Sequence, residues 1–155
     1  MRMSLRLFLS TALLAVALGV ALSPQSARAE ENPVHTYFAG VNQLLPEVDA
    51  WQADLDAVLS AMVAKPELAC GDDVAALARR GHGIVEDLRG TGALAPSVLQ
   101  ARHEASVDAL AQAVAGLQAM LESCDRNVGA DEIAAGNAAY AKAIRLIRYY
   151  SARIG

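Results

Sequence analysis

The sequence predicts an all-α domain, an up-down-up-down antiparallel four-helix bundle with a Pro46 kink in its first helix and one intrachain disulfide. Three observations carry that prediction. Apolar residues recur with helical spacing in four successive stretches, and clusters of Gly, Pro and Asp separate them. No stretch shows the strict alternation of a β-strand. The only two cysteines, Cys70 and Cys124, bracket the second and third stretches. In an antiparallel pair both sulfurs arrive at the same end, and a bond there closes a loop of about 55 residues, worth about 4 kcal/mol.

Asn32 and Pro33 open the first helix as N-cap and first helical residue. Val34, Val41, Val48, Leu55 and Met62 then recur every seven residues. Tyr37, Leu44, Trp51 and Val58 form a second row, and Phe38, Leu45 and Leu59 a third. Together they make one wide apolar stripe ending near Lys65 and Pro66. Pro46 falls on the opposite face. It has no N–H for the Asn42 carbonyl and is expected to kink the helix, the alternative being a break into two.

The second helix, about Asp72 to Arg89, carries Val74, Leu77, Ala78, Gly81, Ile84, Val85 and Leu88 on one stripe, with Gly90, Thr91 and Gly92 ending it. Gly81 and Gly83 each weaken it by about 1 kcal/mol relative to alanine, which points to a close helix approach or a soft segment. The third runs from Pro96 to Cys124, with Leu99, His103, Ser106, Val107, Leu110, Val114, Leu117 and Met120 facing inward. The fourth begins near Gly129. Ile133, Asn137, Tyr140, Ile144 and Ile147 form its stripe, and Gly136, Ala139 and Ala143 thin one side for close packing.

The N-terminus sets the compartment. Arg2 and Arg6 precede an apolar run from Leu7 to Leu22, and Ala27, Arg28 and Ala29 supply a small-x-small cleavage site. The run is shorter than the roughly 20 residues a membrane-spanning helix needs. Residues 1–29 therefore read as a removed signal peptide and 30–155 as a bundle domain, periplasmic or secreted, with no stable membrane insertion. In an oxidising compartment two cysteines favour a disulfide over a metal or redox role. The signal carries three of the 13 basic residues and none of the 17 acidic ones, leaving ten against 17 and a net charge of −7. Such acidity argues against nucleic acid and anionic membranes as partners. Lys142, Arg145, Arg148 and Arg153 follow Glu132 with no further acid, and they suit a helix C-terminus.

The histidines are the candidate ligands. Counting about 1.5 Å per residue sets His82, His103 and His35 about 12, 27 and 40 Å above the cysteine end, too far apart to share a metal. His103 alone faces the core. Tyr149 or Tyr150 stands at its level, so the imidazole is expected to bond a tyrosine hydroxyl or a loop carbonyl. The sharper alternative is a ligand to haem or metal. Periplasmic b-type haem bundles pair a methionine near the chain start with a histidine on the last helix. The fourth helix here has no histidine, and Met62 and Met120 lie near the cysteines, so the likeness stops at architecture.

Ser106 follows His103 by one turn, but a mid-helix serine has no free backbone N–H groups for an oxyanion hole, and its hydroxyl is expected on the Arg102 carbonyl. Tyr37, Phe38, Tyr149 and Tyr150 bias the upper end toward aromatics, as a loosely closed core or as a recognition surface. No motif calls for a cofactor. The expected function is that of an exported, non-catalytic bundle with a protein-interaction, structural or stress-related role, its partner a protein of the cell envelope. The alternative is a bundle binding a small ligand, haem or metal at His103 with Tyr149 or Tyr150. Any site is expected at the end away from Cys70 and Cys124.

Overall fold

Asn32 accepts a hydrogen bond from the Val34 N–H at 3.1 Å, and Pro33 follows as the first helical residue. This N-cap starts the first of four α-helices in the computed structural model, which describes residues 32–154. The signal-peptide segment lies outside the described residues. The helices are α1 (Pro33–Ala64), α2 (Asp72–Gly92), α3 (Ser97–Ser123) and α4 (Ala130–Ile154), with a short 3-10 helix over Pro66–Cys70. There is no strand among the described residues. Pro46 is exposed on the outer face, and α1 continues through it as one helix, so the break into two does not occur.

Cross-helix contacts fix the up-down-up-down order. Late residues of α1 meet early residues of α2: Trp51 Nε1 donates to the Leu77 carbonyl at 2.9 Å, whereas Thr91 packs against Gly40. Between α2 and α3, Gly81 lies on Val114 and Gly92 on His103. Between α3 and α4, Gly116 meets Gly129 and Ala109 meets Gly136. The α1–α4 seam is bridged by polar side chains, Asn42 to Ser151, Asp49 to Arg148 and Gln52 to Asn137. Each pairing runs up one helix and down the next.

Two glycine sites explain how closely the helices approach. A Cβ on Gly81 would stand 2.6 Å from Val114 and 3.0 Å from Trp51, so the glycine makes room for the largest core side chain. Of the two alternatives, a close approach or a soft segment, Gly81 shows the close approach, while Gly83 faces open space. Gly129 has φ 77°, a left-handed conformation, and touches the Gly116 backbone at the entry to α4.

The core is continuous and apolar, with Trp51, Leu55, Met62, Leu88, Leu110, Leu117, Met120 and Ile147 all buried. Cys70 and Cys124 stand at disulfide-bonding distance, 54 positions apart in sequence, with Cα atoms 4.8 Å apart. The bond clamps the 3-10 segment to the last turn of α3. That segment follows the end of α1 and brings Cys70 to Cys124. At the other end α2 does not stop at Gly90 but continues to Gly92, bringing its last turn against His103.

Candidate functional site

His103 is 2% exposed and held from two sides. Its Nε2 lies 2.8 Å from the Leu88 carbonyl of α2, and its Nδ1 lies 3.1 Å from the Tyr37 hydroxyl of α1. A carbonyl only accepts, so Nε2 carries the hydrogen and donates it; Nδ1 then accepts from the Tyr37 O–H. That single tautomer satisfies every polar atom in the group. The Tyr37 ring stands edge-on to the imidazole at 5.6 Å, and Phe38 packs on Tyr37 at 5.0 Å. The imidazole edge also lies against Gly92, where a Cβ would come within 2.8 Å of Nε2.

The tyrosine that reaches His103 is therefore Tyr37, and the carbonyl belongs to a helix rather than a loop. Tyr149 and Tyr150 do not meet His103; they are 51% and 38% exposed on α4. The aromatic upper end divides accordingly: Tyr37 and Phe38 close the core, and the other two tyrosines stand outside it. Both ring nitrogens of His103, one as donor and one as acceptor, are engaged within the core, which leaves neither directed at a ligand. A polar hollow of about 400 Å³ lies over it, walled by Arg89, Gln100, Glu104 and Asp108, but the ring offers little surface to it. His35 and His82 are exposed on separate helices. Among the described residues no three His, Cys, Asp or Glu side chains are grouped to hold a metal ion.

Ser106 is fully buried and donates to the His103 carbonyl at 2.7 Å, one position later than the Arg102 carbonyl expected for it. Its hydroxyl is consumed by its own helix. Tyr140 is different. Its hydroxyl is buried with no hydrogen-bond partner. Burial pushes it up to about 12, partly offset by nearby Arg148, which Asp49 holds across the α1–α4 seam.

Outside the core, one surface combines charge with exposed apolar area. Lys142, Leu146, Tyr149 and Arg153 recur at i, i+4, i+7 and i+11, so they form one stripe along the outer face of α4. Tyr149 and Tyr150 pack edge-on at 5.4 Å, and the Arg153 guanidinium sits 3.7 Å over the Tyr149 ring. Lys142, Arg145 and Arg153 form no ion pair with a carboxylate among the described residues. Val98, 79% exposed on the first turn of α3, adds apolar area at the same end of the bundle.

A groove of about 340 Å³ runs between α1 and α2, walled by Ala57, Val58, Ala76 and Leu77, with Asp54, Asp73 and Arg80 also lining it. It continues into a hollow of about 180 Å³ that shares Ala57, Val58 and Asp73 and reaches Ala61 and Leu68. Nothing in the sequence marks this groove, because the alanines that open it read as ordinary helix formers. The pairing of Tyr37 with His103 has no signature in the sequence beyond both residues lying on inward stripes.

No helix among the described residues is long and apolar enough to cross a membrane. Comparison with protein-family models, with curated proteins and with solved structures finds no match for this chain.

Proposed function

We propose that this chain is a non-catalytic protein-interaction module of the cell envelope, exported and clamped by its disulfide, that docks on a protein partner through the outer stripe of α4. The observation that carries the reading is the exposed run of Lys142, Leu146, Tyr149 and Arg153, with Arg153 stacked on Tyr149. Tyrosine and arginine are the side chains most enriched among the residues that dominate protein interfaces. Stacking pre-orders both, which lowers the entropy lost on docking. The engagement of both His103 nitrogens in the core supports a scaffold role for that residue rather than a ligand site.

The test is site-specific photo-crosslinking in the native host, with the photoreactive residue at position 149 and, as control, at the exposed position 115 of α3. The reading predicts a discrete adduct from 149 alone, lost when Leu146→Asp is added. Equal adducts from both positions, or a turnover activity lost in His103→Ala, contradicts it.

A further inference from the structure

We infer that the occupant of the α4 stripe is a second copy of this chain, whose α1–α2 groove receives it, so that molecules join head to tail. The inference rests on the docking reading above and adds its partner. Shape comes first. Ala57, Ala61 and Ala76 leave a channel with Val58 and Leu77 at its base, the kind of small-walled groove that takes large side chains from an amphipathic helix. Leu146 and Tyr149 are such side chains, set on successive turns of one helix face. The lengths agree as well: Lys142 to Arg153 spans about 16 Å, and Gly71 to Arg80 along the groove about 14 Å.

Charge is complementary in the same sense. α1 carries Glu47, Asp49, Asp54 and Asp56 and no lysine or arginine. Asp49 is held by Arg148 of its own chain, whereas Lys142, Arg145 and Arg153 of α4 form no ion pair among the described residues. Within the groove Asp54 is already held by Arg80 at 2.6 Å, while Asp73 forms no ion pair among the described residues. Asp73 is thus open to Lys142 or Arg153 of an incoming helix. The stripe faces away from the core, opposite the buried Tyr140, Ile144 and Ile147, so it cannot reach the groove of its own chain. Two different surfaces meeting between copies make a heterologous contact, which forms a closed ring or an open chain.

Sedimentation equilibrium of the mature chain tests this in low salt and in about 0.5 M salt. The average mass is expected to rise with concentration in low salt and to return to the monomer in high salt. Asp73→Lys and Lys142→Glu are each expected to weaken association about tenfold or more, and the double swap to restore it. Far-UV circular dichroism checks that the variants, both at exposed positions, keep their helices. A chain that stays monomeric in low salt overturns the inference, as does association unchanged by either single reversal. If the chain is monomeric yet position 149 crosslinks to a different envelope protein, the docking reading stands and this inference alone fails.

Discussion

Tyr37 on α1 donates its hydroxyl hydrogen to Nδ1 of His103 on α3, and the same imidazole donates from Nε2 to the Leu88 carbonyl on α2. One buried ring thereby ties three helices together at the end of the bundle opposite the disulfide. Buried polar groups cost little when fully paired and much when one partner is removed.

The first prediction contrasts two buried tyrosines. Tyr37→Phe leaves His103 Nδ1 without a partner and should destabilise the fold by about 1–3 kcal/mol. Tyr140→Phe removes a hydroxyl that has no well-aligned hydrogen-bond partner and only the nearby Arg148 guanidinium beside it, so it should cost less than Tyr37→Phe, about 1 kcal/mol or below. Urea unfolding followed by the emission of Trp51, the only tryptophan, measures both.

Alkaline pH should act through the same pair. Burial pushes the hydroxyls of Tyr37 and Tyr140 up to about 12, whereas an unfolded chain releases a tyrosine proton near 10. The folded state holds these protons more tightly, so the stability they contribute is complete below pH 10 and is lost as pH rises toward 12. Each hydroxyl should withdraw about 1.4 kcal/mol per pH unit in that window. Unfolding midpoints of the wild type and of each Phe variant between pH 9 and 11.5 should show the slope reduced by either substitution.

Gly92 tests how tightly the imidazole is seated. A Cβ there meets the His103 ring at 2.8 Å, and the ring is anchored at both nitrogens and cannot retreat without losing a bond. Gly92→Ala should cost about 1–3 kcal/mol, despite the better helix propensity of alanine. Gly83→Ala, which faces open space, should stabilise instead.

Reduction of the disulfide should lower stability by about 4 kcal/mol, the chain-entropy value for a loop of this length. Urea midpoints with and without dithiothreitol read the difference, and a thiol assay on the native protein should detect no free thiol.

The four helices were legible in the sequence because each buries one face, and rows such as Val41, Val48 and Leu55 repeat at the helical period. The disulfide followed from the same pattern, since Cys70 and Cys124 end neighbouring antiparallel elements. The partner of His103 was not legible. A uniform axial count sets Tyr37 about 10 Å above His103, yet the two bond. Periodicity reports which residues face inward but not how far one helix slides past another. Here the Tyr37–His103 bond places α1 lower against α3 than the uniform count allows, and the 3-10 helix over Pro66–Cys70 lies between α1 and α2. Tyr37, Phe38, Tyr149 and Tyr150 lie near one end and suit either a core top or a recognition surface; which one each joins depends on the side its helix presents, and α4 presents Tyr149 and Tyr150 to solvent. The groove depends on alanines that periodicity treats as neutral.

His103 is a strut of the core, held at both ring nitrogens. Long-range proton–nitrogen correlation NMR of the imidazole tests it most directly, because it reads which ring nitrogen bears hydrogen. Nε2 is expected to carry the hydrogen, bonded to Leu88, and Nδ1 to be bare and to lose its hydrogen bond in Tyr37→Phe. A bare Nε2, free to ligate a metal or haem, would contradict it.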